Sequence, residues 1–326
     1  MIIDTHAHYT PQSMLAALKA DIGRFPSIDL LEEEGKYQLA FVGGNPTRPL
    51  SPKLRDTDQR LKWMDDQSID VQIVGGWLDS FGYELPATEG EAWSRFMNEF
   101  QMTGTDNIER LYPLATVPMQ DGKRAAKVLE EAMAGGFKGV MIGTQPKGTA
   151  GNLDDPDLDA FWEAASGLKA TVYLHPMFGC GDPRLNDFGL MNAVGRGTDT
   201  TTAVARLLFS GHFLKYTGMN VILSHGGGAI PFMMGRLARN FDIHPGEFSD
   251  PVESLRKLYF DSVLFAPDAL NFLCSSCGHD RVVLGSDYPF PIGDMTPLKV
   301  IDDAGFTDQQ KRMIVGETAA KLFAIA

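Results

Sequence analysis

Ile2-Ile3-Asp4-Thr5-His6-Ala7-His8, at the start of the chain, is a short, β-rich apolar run that stops on two histidines. Similar runs recur at 70–76, 111–119, 137–144, 170–175, 220–225, 257–265 and 281–287. Segments with helical spacing lie between them, at 55–67, 93–105, 122–134, 157–168, 201–216, 231–241 and 267–274. Strand followed by helix, repeated along the chain, argues for βα units and a parallel sheet. Eight runs predict closure into an α/β (β/α)8 TIM barrel. The competing architecture is an open, doubly wound sheet. No G-x-G-x-x-G or G-x-x-x-x-G-K-[ST] follows a run to support a nucleotide site there.

The 326 residues suit one barrel domain spanning 1–326 with an elaboration. The segment 9–54 is long for a first βα connection, and it holds a β-like piece at 37–42 followed by Gly- and Pro-rich 43–52. It reads as a small insertion after the first strand, or a lid over the barrel mouth. The tail 307–326 has helical spacing, with Thr307 placed to cap a C-terminal helix.

A formal net charge of −13 and a pI near 4.9 argue against nucleic acid as a partner, because that affinity rests on Lys and Arg neutralising phosphates. No run approaches the ~18 apolar residues of a membrane span, and the opening lacks the basic start of a signal peptide. A soluble, cytoplasmic protein with no membrane partner is expected. Cys180, Cys274 and Cys277 are too few for a disulfide framework, and Cys274-x-x-Cys277 reads as two thiols packed on a helix.

Side chains alternate faces along a strand, so His6 and His8 project to the same side of the first one. His175 ends the fifth run, His225 ends the sixth ahead of Gly226-Gly227-Gly228, and Asp287 ends the eighth. In this fold the carboxyl ends of the strands converge on one site, which would gather these residues from both ends of the chain. Three imidazoles and one carboxylate suit a single zinc ion, with manganese as the alternative. Lys138 starts the fourth run instead of ending it, so no lysine is placed to bridge a second metal. His225 is then better used as a proton shuttle than as a further ligand.

In these residues the chain resembles the amidohydrolase superfamily, and within it the amidohydrolase-2 branch that includes aminocarboxymuconate semialdehyde decarboxylase. The resemblance runs from Asp4-Thr5-His6-Ala7-His8 through Thr116-Val117-Pro118-Met119-Gln120 and Leu174-His175-Pro176. It continues in His225-Gly226-Gly227-Gly228, Gly235-Arg236 and Gly285-Ser286-Asp287-Tyr288-Pro289-Phe290. It implies a metal-dependent carboxy-lyase, one that removes carbon dioxide non-oxidatively from an unsaturated or aromatic carboxylic acid at one zinc or manganese per chain. His6, His8, His175 and Asp287 would hold the metal, and His225 and Asp287 would serve catalysis. Arg236 would reach the neighbouring subunit's site, which implies a homodimer, and Phe290 would face the substrate. Leu39 stands near the place of a family arginine that binds substrate carboxylate; Arg48 is the nearby candidate for that role. Hydrolysis of an ester, lactone or amide uses the same residues, and a hydratase of the branch shares His6-Ala7-His8-Tyr9-Thr10 but carries glutamate at Asp287.

Overall fold

In chain order the strands are β1 (Ile3–His8), β2 (Ile28–Glu33), β3 (Lys36–Phe41), β4 (Val71–Gly75), β5 (Leu111–Pro113), β6 (Val140–Gly143), β7 (Thr171–His175), β8 (Asn220–Leu223), β9 (Leu258–Asp261) and β10 (Val282–Val283). These come from a computed structural model that describes residues 1–148, 151–177 and 181–326; Cys180 lies outside them. β1, β4 and β5 form one parallel ladder, and β6 through β10 form another in sequence order.

Hydrogen bonds span both seams between the ladders. On one side Ala115 N donates to Gly139 O and Met141 N donates to Ala115 O, each at 2.9 Å. On the other, Thr5 N donates to Leu284 O at 2.9 Å, while Asp287 N reaches His6 O and His8 N reaches Tyr288 O, both at 2.8 Å. The parallel strands therefore run in a ring, the TIM barrel predicted from the alternation of runs. Helices Thr57–Asp66, Ala87–Thr105, Gly122–Ala134, Asp159–Gly167, Arg196–Phe209, Ile230–Asp242 and Pro267–Cys277 carry the chain from one strand toward the next.

Barrel strands such as β4, β6 and β7 are buried on both faces, as a parallel sheet covered by helices requires, so they do not alternate between apolar and polar residues. Local chemistry sets the helix starts. The Asp121 side chain accepts from Arg124 N, and Thr307 forms a capping box with Gln310 ahead of helix Asp308–Arg312.

Several elements differ from the sequence expectation. The third and eighth strands are short: Pro113 closes β5, and after β10 the chain leaves the ladder for a turn in which Phe290 N donates to Asp287 O. The expected piece at 37–42 is one arm of an antiparallel hairpin, β2 with β3, registered Leu30 against Leu39. The helix expected from 201 begins at Arg196. Gly195, Gly197, Thr198, Asp199 and Thr200 are weak helix formers, so its first turn is invisible to periodicity. Tertiary bonds hold it: the Asp199 carboxylate accepts from Thr144 Oγ1, from Gln145 Nε2 at 3.0 Å and from Met177 N at 3.1 Å.

Cys274 and Cys277 lie on one helix as free thiols, and burial pushes both up to about 12. Neither is a thiolate near neutral pH, which leaves them a packing role.

Arg60 is fully buried behind the end of β1. Its guanidinium donates to Gln72 Oε1 and to His8 O, both at 2.5 Å, and lies over the Tyr9 and Tyr288 rings at 5.3 and 4.8 Å. An Arg60→Met variant leaves two buried acceptors unpaired. Urea unfolding should show a loss of about 2–5 kcal/mol, and a loss below about 0.5 kcal/mol would remove this strap from the account of the fold.

Candidate metal centre

β1 delivers His6 and His8, β7 delivers His175, and the turns after β8 and β10 deliver His225 and Asp287. One ligand atom from each of His6, His175, His225 and Asp287 lies within 4.8 Å of all the others. His8 stands beside this set, its Nε2 3.1 Å from Asp287 Oδ1 and its ring 4.9 Å from that of His175. All five sequence-selected groups therefore converge.

The hydrogen bonds behind the rings divide the four histidines into two kinds. His6 Nδ1 donates to Asp261 Oδ2 at 2.6 Å, His8 Nδ1 to Gly76 O at 2.9 Å and His175 Nδ1 to Pro176 O at 2.8 Å. These partners can only accept, so each Nδ1 carries the proton and each Nε2 aims a lone pair at the centre. His6 Nε2 and His175 Nε2 are buried without a hydrogen-bond partner. Acceptor atoms converging on a carboxylate repel one another unless a cation sits among them. The donor set fits a divalent metal held by His6, His8, His175 and Asp287.

His225 is built differently. Its Nδ1 has no partner, its Nε2 lies 3.5 Å from Asp287 Oδ2, and its side chain is 19% exposed where His6, His8 and His175 are buried. No acceptor anchors its Nδ1, and the Asp287 carboxylate stands at its Nε2, a setting that suits a group that takes and gives a proton. His225 and Asp287 both have positive φ, 52° and 59°. Side chains rarely adopt that conformation, and such strain persists only where surroundings impose it. Here Gly226 N donates to Asp261 Oδ1 at 2.9 Å, and Asp287 N is tied to His6 O.

The charges of the site follow from burial and neighbours. Burial works against a carboxylate at Asp287, but the facing His6, His225 and His8 outweigh it and hold the carboxyl well below its usual range. Burial lowers His8, and with the repulsion of neighbouring imidazoles it drives His175 well below the usual histidine range. At His6 burial also lowers, yet Asp287 and Asp261 prevail and the value is raised. The centre is thus short of positive charge, which either a proton on His6 or a metal ion supplies.

His225 and Asp287 open onto a cavity of about 470 Å³ whose walls include Val263, Leu264, Phe265 and Ile292. Phe290 lies at the site, its ring 5.1 Å from that of His8. Arg48 is not brought into this cavity: it pairs with Asp79 at 3.1 Å and lines an adjacent cleft with Phe41 and Glu84. Arg236 is exposed on the helix Ile230–Asp242 and is not among the described residues that line this cavity.

Two residues at the site escaped the sequence reading. Asp261 ends β9 and accepts from His6, from Tyr173 Oη at 2.9 Å and from Gly226 N, and the signal used for Asp287, an acid closing a β-rich run, was present in Tyr259-Phe260-Asp261. Arg196 lines the cavity from a helix turn that periodicity does not reveal.

The amidohydrolase family model (Amidohydro_2) matches residues 3–325. The chain is 27% identical to the 2-amino-3-carboxymuconate-6-semialdehyde decarboxylase of Dictyostelium discoideum, over 99% of this chain and 91% of that one. In fold it is similar to the 5-carboxyvanillate decarboxylase LigW of Sphingomonas paucimobilis, with a TM-score of 0.81 at 24% identity, covering 100% and 99% of the two chains. It is also similar to the 5-carboxyvanillate decarboxylase of Novosphingobium aromaticivorans, solved with manganese and 4-hydroxy-3-methoxy-5-nitrobenzoic acid, with a TM-score of 0.80 at 20% identity over 100% and 96%.

Replacing Asp261 with asparagine keeps the shape but weakens the acceptor behind His6. Metal affinity measured by chelator competition should fall about 10–100-fold, with far-UV circular dichroism unchanged; unaltered affinity would assign Asp261 a packing role alone.

Proposed function

The chain belongs to the amidohydrolase family matched over residues 3–325, and on that premise we propose that it is a metal-dependent, non-oxidative decarboxylase of an unsaturated or aromatic carboxylic acid. The observation that carries this reading is the contrast at the centre: three imidazoles with anchored Nδ1 atoms and a carboxylate, beside one cavity-facing histidine without such an anchor.

His6, His8, His175 and Asp287 would hold one zinc or manganese ion. Bound there, the metal supplies Lewis-acid stabilisation of negative charge on a substrate oxygen. The apolar walls exclude water and orient a planar acid with its carboxylate toward the centre. His225, steadied by Asp287, moves a proton to the carbon that bears the carboxylate, with the conjugated system supplying the electron pair for the new C–H bond. The C–C bond then breaks, its electrons restore the conjugation, and carbon dioxide leaves. Phe290 would pack on the substrate face, and Arg48 would bind a substrate carboxylate that reaches the neighbouring cleft, where it pairs with Asp79.

The single domain 1–326 would act as a homodimer in the reducing cytoplasm, with the insertion 9–54 covering the barrel mouth. The helix Ile230–Asp242 supports dimerisation: only Ile230 is buried, Phe232 is 82% exposed, and Phe232 meets the ring of Phe272, itself 44% exposed, at 5.9 Å. Apolar surface of this kind, flanked by Arg236 and Arg239, marks an interaction site. Arg236 lies on this face, as a residue reaching into a partner's site must.

Carbon dioxide release from a panel of hydroxybenzoic and other conjugated acids tests the activity, against alcohol or amine release from matched esters and amides. His225→Ala should lower kcat by about 10²–10⁴-fold while plasma mass spectrometry still finds about one metal per chain, and His175→Ala should lose the metal. Full turnover in His225→Ala would remove its role. For the assembly, sedimentation velocity should show a dimer for the wild type and a monomer for Phe232→Glu; a monomeric wild type would end the homodimer proposal.

A further inference from the structure

Arg196 is the one arginine or lysine among the described residues that line the cavity of His225 and Asp287. The residue is firmly placed. Its Nε donates to Asn192 Oδ1 at 2.8 Å, and the Asp199 carboxylate clamps the same helix turn to Thr144, Gln145 and Met177. Next to it, Gly197 lies against the histidine turn so closely that a Cβ on Gly228 would meet Gly197 O at 2.5 Å. The arginine turn and the turn carrying His225 are thus packed together with glycine on both sides. The cavity wall also carries the apolar Val263, Leu264, Phe265 and Ile292. Burial draws the guanidinium's pKa down, with Asp287 and Asp79 acting the other way; an arginine starts high enough to stay cationic regardless.

A fixed cation at one side of an apolar cavity selects an anionic group on the ligand. That group is not the carboxylate being lost. A guanidinium bound there would stabilise charge that must disappear as carbon dioxide forms, and so would oppose the reaction. A carboxylate that survives turnover keeps its partner in substrate, transition state and product.

We infer that Arg196 is the specificity-determining residue of this site, binding a second, retained carboxylate, so that the enzyme selects dicarboxylic conjugated acids over monocarboxylic ones. The inference rests on the decarboxylase reading for its chemistry, but it can be tested by binding alone.

The probes are the three isomeric benzenedicarboxylates and benzoate, titrated calorimetrically into manganese-loaded wild type, Arg196→Met and Arg196→Lys, each checked for metal content and circular dichroism. In the wild type at least one dicarboxylate should bind about 10–100-fold more tightly than benzoate. Arg196→Met should abolish that preference and Arg196→Lys should restore part of it. For any dicarboxylic acid found to be turned over, Arg196→Met should raise KM by a similar factor and change kcat less than about threefold.

Equal wild-type binding of all four probes, a preference that survives in Arg196→Met, or an equal loss for benzoate and dicarboxylates would each overturn the assignment. A preference lost in Arg196→Met, with no carbon dioxide released from any acid, would uphold the arginine subsite and reject the decarboxylase reading.

Discussion

The Asp4 carboxylate, buried beneath the barrel mouth, accepts from Ser286 Oγ at 2.6 Å, Gln72 Nε2 at 2.8 Å, Ser286 N at 3.0 Å and His6 N at 3.1 Å. These bonds join the first strand, its neighbour and the turn that follows the last strand. His6 and His8 come from one end of the chain and Asp287 from the other, so the centre exists only where this seam is closed. Burial pushes Asp4 up to about 6, because its hydrogen bonds do not fully offset desolvation. With the folded value above the unfolded one, its ionisation costs stability as pH rises from about 4 to about 6, and that cost persists at neutral pH. The fold retains a carboxylate that costs it stability, at the point where the register of the metal ligands is set.

From that seam the same logic passes outward through Asp261. Its carboxylate holds His6 Nδ1, Tyr173 Oη, Gly226 N and Val263 N, so one buried group fixes a ligand ring, the glycine turn after His225 and the start of an apolar cavity wall. Histidines of one chemical type are set in different surroundings by what stands behind them. An acceptor at Nδ1 turns the other nitrogen of His6, His8 and His175 to the centre, and His225 Nδ1 has no such partner, the contrast on which the proposed division into ligands and proton carrier rests.

Substrate selection is built on a different layer. The barrel supplies the reactive centre, whereas the connections after β7 and β9 and the turn after β10 supply Arg196, Phe265 and Ile292 around the cavity. Strands and the turns at their carboxyl ends place the chemistry, and the connecting segments beyond them tune what reaches it. Arg48, on the insertion, pairs with Asp79 and lines the neighbouring cleft, and both charges act on Arg196 at the cavity wall.

His6, His8, His175, His225 and Asp287 were legible in the amino-acid string, because each closes an apolar run and a parallel barrel must bring such ends together. The alternation of runs carried the fold class for the same reason: burial on both faces forces continuous apolar strands. What the string could not reveal depends on contacts between distant segments. β2 became visible only through its pairing with β3, since Leu31, Glu32 and Glu33 lie at or near the surface and have no apolar period. The first turn of helix Arg196–Phe209 forms because Thr144, Gln145 and Met177 satisfy Asp199, against the weak propensity of its own residues. In the sequence His6, His8 and His175 read as ligands and His225 as proton carrier, but residue type and spacing are shared between the roles and carry no physical basis for dividing them. The difference visible in the structure is whether a carbonyl or carboxylate meets Nδ1: for His6 and His8 that partner comes from another strand or the loop after one, and for His175 it is the carbonyl of Pro176, so the local backbone and the packing in three dimensions together decide it.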